Sequence, residues 1–249
     1  MMRELIGLAY SPWTEKARWA LDYHHIPYGY SEHLIIFGMP WLYYKMKSFG
    51  DITVPALICT SPDGDERFGD SFDIALYADR IGNEKSLFPS KYLDKISHYN
   101  ELSETALDAA RALVMERMQK NPQALMEALP SWVPDFLRPY LLFVAKTGIS
   151  YIRHEFQSSK KTIDQHQQIL RNVLLELRND LKNTSSGYLL ENFSYADITM
   201  ALALHGVLPA MHPRLKISPA IKKSWSTPEL ASEFSDLIHW RDNLYQKFR

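Results

Sequence analysis

The apolar period changes once along this 249-residue chain, close to Gly82. Before that point, short apolar runs alternate with amphipathic segments. After it, only helical spacing remains. Strands repeat with period 2 and helices with period 3.6. A chain with this switch is expected to fold as an α/β unit followed by an all-helical unit. Its length suffices for one large domain or two modest ones.

In the first part, the spacing predicts a strand over Glu4–Ala9 and a helix from Pro12 to about His24. A second strand follows over Ile26–His33. Leu34–Gly50 is irregular and partly helical, with Gly38 and Pro40 as breakers. Val54–Thr60 reads as a strand, Ser61-Pro62-Asp63-Gly64 as a tight turn, and Arg67–Gly69 as the returning strand. Ser71–Ile81 has helical spacing. The order βαβ, helical stretch, ββα calls for a parallel right-handed unit with an added antiparallel hairpin. We therefore expect a mixed four-stranded sheet with three helical segments over residues 1–81 and a linker over 82–91. An all-helical bundle should follow over 92–249. Long helices are predicted over Tyr92–Lys120, Pro134–Phe156, Thr162–Lys182, Ser194–Leu208 and Thr227–Lys247. Shorter ones fall near Pro122–Leu129 and Ser218–Trp225. Phe193-Ser194-Tyr195-Ala196-Asp197-Ile198 carries a capping box with Asp in the Glu/Gln role, plus a hydrophobic staple.

Net charge is −1, so no bulk attraction to nucleic acid or an anionic membrane is expected. Residues 1–80 carry 7 Lys/Arg against 11 Asp/Glu. An anion bound there needs local donors. The single cysteine, Cys59, excludes an internal disulfide and a cysteine metal cluster. It reads as a buried small hydrophobe. The nine histidines show no metal-ligand spacing, and His24-His25 and His154-Glu155 read as helix-end or helix-surface residues. No signal peptide is evident. The longest apolar candidate, Phe136–Ile152, is interrupted by Arg138, Pro139, Lys146 and Gly148 and is too short to span a membrane. A cytoplasmic protein is expected.

The segment Leu8-Ala9-Tyr10-Ser11-Pro12-Trp13-Thr14 is the most suggestive chemically. A strand ends, Ser11 takes the N-cap and Pro12 the first helical position. A side chain there sits beside unpaired N–H groups and the positive end of the helix dipole, which suits a thiolate or another anion. The plain alternative is that Ser-Pro merely starts a helix.

Four features occur in fixed order. They are Ser11-Pro12-Trp13-Thr14 at a helix start, Thr53-Val54-Pro55-Ala56-Leu57 opening a strand, Gly69-Asp70-Ser71 before a helix, and Ser194-Tyr195-Ala196-Asp197-Ile198 in the helical half. Together they resemble the cytosolic glutathione transferases of the Ser type over nearly the whole chain, with the class unassigned. The resemblance implies a thioredoxin-like first domain and a helical second domain that binds the electrophile. It implies that Ser11 stabilises the glutathione thiolate, with Tyr10 or Thr14 as alternatives. Val54 and a cis Pro55 would align the peptide. Asp70 and Ser71, the latter at the helix N-cap, would hold the γ-glutamyl end. Asp70 stands where the family usually has Glu, one methylene longer. Lys45 or Lys47 could meet the glycyl carboxylate. Glutathione would be co-substrate, with no metal.

The chemistry is coherent. A free thiol has a pKa of about 8.5, and a serine hydroxyl cannot deprotonate it. It can donate a hydrogen bond to the thiolate, and together with the helix dipole this lowers the thiol pKa. The thiol positions of a thioredoxin-type motif are held by Ser11 and Thr14, so disulfide exchange lacks its nucleophile. The reading is conjugation of glutathione to a hydrophobic electrophile, in detoxification, by a homodimer. The alternatives are a non-catalytic ligand-binding or regulatory protein and a glutathione-dependent peroxidase or isomerase. Arg18 is read as a structural anchor. The Trp41-Tyr43-Tyr44 cluster is assigned to electrophile pocket, interface or core without preference, and Lys160-Lys161 to a solvated helix start.

Overall fold

Leu5 and Ile6 form the apolar end of the first strand, and both are buried. In the computed structural model this strand is β1, Met2–Gly7. The structure describes residues 2–249 except Ile36, Asp51, Asp63, Ser131, 156–160 and Lys216. The turn position Asp63, the predicted helix end Phe156 and Lys160 therefore lie outside the described residues.

After β1 come α1 (Pro12–Tyr23), β2 (Gly29–Glu32), α2 (Met39–Met46), β3 (Ala56–Ser61), β4 (Gly64–Phe68) and α3 (Ser71–Ile81). The strand order is β2-β1-β3-β4. β1 pairs parallel with β2, and the β1–β3 and β3–β4 pairs are antiparallel. This is the expected mixed thioredoxin-like sheet. Strand ends differ from the expectation. β1 stops at Gly7 because α1 folds back onto it: a Cβ on Gly7 would lie 2.5 Å from Thr14 Cγ2. β4 starts at Gly64, three residues before the expected Arg67.

From Leu93 onward the described residues form helices only: α4 (Leu93–Gln119), α5 (Pro122–Glu127), α6 (Leu142–Glu155), α7 (Ile163–Lys182), α8 (Tyr195–Ala203), α9 (Pro219–Trp225), α10 (Pro228–Glu233) and α11 (Ser235–Phe248). Three predicted helices are shorter or broken. Asp135–Leu141 is a 3-10 segment, because Pro139 removes a backbone donor. Thr227–Lys247 splits at Phe234, whose backbone leaves helical geometry. Ser194–Leu208 tightens into a 3-10 turn after Ala203. The box before α8 forms as read: Asp197 accepts the Ser194 N–H at 2.9 Å and the Leu189 N–H at 2.8 Å. Burial nevertheless lifts its carboxyl to about 7 against those donors.

One apolar core joins the two halves. Trp19 on α1 is fully buried and its indole donates to the Phe248 carbonyl at 3.0 Å. The Tyr195 N–H donates to the Leu87 carbonyl at 2.9 Å, and its ring stacks on Phe88. Burying side chains of this size contributes on the order of 1.5–3 kcal/mol each. The Arg249 side chain is fully buried on Glu15 at 2.7 Å and also pairs with Asp22 of α1. Cys59 is a buried free thiol, pushed up by burial. Among the described residues no helix is long and apolar enough to cross a membrane.

Candidate functional site

The N-termini of α1 and α3 open on one cleft of about 540 Å³ between the sheet unit and α4, α6 and α9. Ser11, Tyr10, Val54, Pro55 and Asp70 all line it. Ser11 holds an extended backbone (φ −81, ψ 127) and its Oγ accepts the Thr14 N–H at 3.5 Å. That long bond uses a lone pair, so the Ser11 O–H remains a donor. The Val54–Pro55 bond is cis. Val54 lies just before the β1–β3 ladder, which begins at the Ile6–Ala56 pair. Its backbone is therefore outside the ladder and beside the cleft.

Asp70, not Ser71, caps α3. Its backbone is extended and its Oδ1 accepts the Phe72 N–H at 2.7 Å. Ser71 is the first helical residue, almost fully buried, and its side chain is not part of the cleft lining. The expected N-cap thus moves by one residue. Extended geometry at Asp70 lets its shorter carboxylate turn back to the helix.

Thr14 is also outside the lining. It is buried, and its Oγ1 accepts the Leu8 N–H at 3.2 Å. That bond ties α1 to the end of β1. Tyr10 is buried, and its phenol is pushed well above its usual range by burial and then by the Glu32 carboxylate. It can serve as a neutral donor and not as a phenolate.

Lys45 and Lys47 are not in this cleft. They line a separate hollow of about 480 Å³ on the outer side of the sheet, with Glu4, Tyr44 and Arg67. Lys45 Nζ bonds Glu4 at 2.7 Å and Lys47 bonds Asp65 at 3.4 Å. Acidic partners on the strands fix the side to which α2 turns them. The aromatic cluster divides accordingly. Trp41 and Tyr44 stack on each other in solvent, while Tyr43 reaches the cleft. Arg18 stands over the Tyr30 ring, 5.5 Å from its centroid, and lies away from the cleft.

The helical side supplies residues that the sequence reading missed. Glu104, Asp108, Arg111 and Met115 come from one face of α4, with Tyr151, Ile152 and Trp225 behind them. Their spacing of four, three and four residues is a readable helical stripe, though one that a solvated face shares. Glu104 accepts the Trp13 indole N–H at 2.5 Å and the Lys16 ammonium at 2.6 Å. Lys16 is fully buried, and desolvation lowers its pKa against the opposing pull of Glu104. Arg111 lies over the Trp13 ring, 4.8 Å from its centroid, and pairs with Asp108 at 2.5 Å. His33, also in the lining, is buried and held neutral, with its pKa lowered to about 4 by desolvation. The cleft thus has polar helix ends on one wall and, on the other, the charged side chains of Glu104, Asp108 and Arg111 beside the apolar Met115, Ile152 and Trp225. Among the described residues no three His, Cys, Asp or Glu converge as metal ligands.

Residues 5–86 match the family described as glutathione S-transferase, N-terminal domain. No curated protein matches the chain. Among solved structures, the chain is similar to a glutathione S-transferase from Methylobacillus flagellatus KT with glutathione bound, at 16% identity. That match covers 97% of this chain and 93% of the other, with a TM-score of 0.58. It is similar to glutathione transferase GSTFuA2 from Phanerochaete chrysosporium at 14% identity, covering 100% and 95%, with a TM-score of 0.61. It is also similar to glutaredoxin 2 from Salmonella typhimurium in complex with glutathione at 16% identity, covering 99% and 98%, with a TM-score of 0.52. At these identities the likeness carries the fold.

Proposed function

We propose that the chain, whose residues 5–86 match the glutathione S-transferase N-terminal domain family and whose fold is similar to solved glutathione transferases over nearly its whole length, is a member of that superfamily and conjugates glutathione to a hydrophobic electrophile. One observation carries the reading. The α1 and α3 N-termini, capped by Ser11 and Asp70, open with Val54 and Pro55 onto one cleft whose far wall includes the apolar Met115, Ile152 and Trp225. In this reading residues 1–81 hold glutathione and residues 92–249 hold the electrophile. Two solved relatives of the same fold are described with glutathione bound, which supports the choice of thiol.

The Ser11 hydroxyl donates to the sulfur, and the α1 dipole adds to the stabilisation of negative charge. Val54 offers backbone groups to the peptide as an added strand would. The Asp70 carboxylate pairs with the γ-glutamyl amine, and the N–H groups that open α3 suit its carboxylate. The thiolate then attacks carbon, and the electron pair leaves with a halide or moves onto an oxygen. Tyr10, neutral in the same cleft, is the second candidate donor.

Ser11→Ala tests the assignment. A charge-assisted hydrogen bond contributes roughly 1.5–3 kcal/mol, about 10–150-fold in rate. Turnover of chlorodinitrobenzene should fall by that factor while glutathione affinity by calorimetry stays within about threefold. The pH–rate profile should move upward, since the bound thiol regains a higher pKa. An unchanged rate and profile reassigns the role to Tyr10, with Tyr10→Phe as the next variant. Binding without turnover of any electrophile by the wild type would make the chain a ligand carrier.

A further inference from the structure

We infer that residues 132–143 form the contact through which two copies of this chain associate. This association needs no particular activity of the cleft. The surface of the segment is inverted. In the 3-10 stretch Asp135–Leu141, residues three apart fall on one line. The line through Arg138 and Leu141 turns inward. The Arg138 guanidinium donates to the carbonyls of Met126 at 2.9 Å and Pro130 at 3.2 Å, and Leu141 packs on the core. The other two lines carry Phe136 with Pro139, and Leu137 with Tyr140, and all four are exposed. Trp132 before the stretch and Phe143 after it extend this apolar surface. The four rings of Trp132, Phe136, Tyr140 and Phe143 are 65–78% exposed. The polar side of the stretch thus faces the protein and the apolar side faces outward, the reverse of an ordinary surface helix.

The size of the surface fits a second copy. An aromatic side chain offers about 150–250 Å², so at these exposures the four rings present roughly 400–700 Å². That matches or exceeds the largest apolar patch of a typical monomer, about 300–600 Å². Each partner in a stable interface contributes about 800 Å², and Leu137 and Pro139 add to the rings. Charge selects the partner. A two-fold contact sets a patch against itself, so like charges within it would oppose one another. The charged residues of 132–143 are Asp135 and Arg138, and they neutralise each other at 3.0 Å. Self-contact therefore brings no net repulsion. The same neutrality gives an anionic membrane nothing to attract, since such surfaces draw basic segments. The carbonyl bonds of Arg138 also hold the segment in shape before association, which lowers the ordering cost of binding.

Sedimentation equilibrium of the full chain tests the assignment. The wild type should be a dimer. Phe136→Asp combined with Tyr140→Asp puts carboxylates of both copies into the contact and should raise the dimer dissociation constant about 100–1,000-fold. Phe49→Asp is the comparison. Phe49 is 92% exposed and lines the outer hollow of the sheet unit, and its replacement should leave the dimer intact. Circular dichroism and melting establish that each variant is folded, since exposed substitutions move stability little. If the double variant fails to fold, Phe136→Ser alone decides, with a rise of about tenfold or more expected. A dimer that persists in the variants at 136 and 140 overturns the inference. If that dimer dissociates in Phe49→Asp, the interface lies on the sheet unit instead. A wild type that stays monomeric at every concentration also overturns it. Co-sedimentation of that monomer with phosphatidylglycerol vesicles, lost in the double variant, would assign the patch to lipid.

Discussion

Asp70 separates two roles that one carboxylate can combine. Its Oδ1 caps α3 through the Phe72 N–H at 2.7 Å, and its charge faces the cleft. Asn caps nearly as well as Asp, whereas Ala does not, at a loss of about 1 kcal/mol. For a chain of this size that corresponds to roughly 2–4 °C in Tm. Asp70→Asn should therefore melt within about 1 °C of wild type, and Asp70→Ala about 2–4 °C lower. The charge behaves differently. Asp70 is exposed, so the ion pair proposed for it with a γ-glutamyl amine is a screened one, and its loss should cost roughly 0.5–1.5 kcal/mol. That is about 2–13-fold in KM for glutathione, in Asn and Ala alike. The amine keeps its charge through the reaction, so kcat should hold. The KM difference should narrow with added salt. The assays are differential scanning calorimetry and steady-state kinetics at two ionic strengths. A glutathione KM at the wild-type value in Asp70→Asn would leave only the cap, and the placement of the γ-glutamyl end would be wrong.

Two further outcomes concern stability. Arg249→Ala takes from the buried Glu15 its nearest guanidinium and leaves Arg18 at 4.0 Å; breaking a buried pair costs roughly 3–5 kcal/mol, readable by urea denaturation. Burial, and then the Arg241 charge, depress the His205 pKa to about 3. The unfolded state takes its proton near 6.5 and the folded state does not, so stability is lost as pH falls below 6.5. The loss at pH 5 is about 2 kcal/mol. His205→Phe, which keeps a ring against Trp225, should lack this component when ΔG at pH 7.5 and 5 is compared. An equal pH response in both proteins would refute the assignment.

Local chemistry was legible where one or two neighbours decide the backbone. Ser71–Ile81 is the helix that its spacing predicted, and the capping box read at Ser194 opens α8. Ser11 caps α1 with Pro12 at the first helical position. Each depends on contacts within about four residues. The misread positions depend on more distant ones. β1 ends early because Thr14 packs against Gly7. The cap of α3 falls on Asp70 because the chain enters it extended. Lys45 and Lys47 leave the cleft because Glu4 and Asp65, on strands of the sheet, hold them on its other side.

The sequence by itself therefore determined the two-part architecture, the start of α1 at Pro12 under a Ser11 cap, and the helical span Ser71–Ile81. These follow from apolar period and from the needs of unpaired backbone groups, which are local. Only the tertiary structure decided that Ser11, Val54 and Asp70 share one cleft, and that Glu104 and Arg111 of α4 close it. No spacing rule sets the direction in which α4 crosses α1. That direction comes from packing a common core, in which Trp19, Phe193 and Tyr195 lose their water together, and from the Lys16–Glu104 pair that joins the two helices at 2.6 Å.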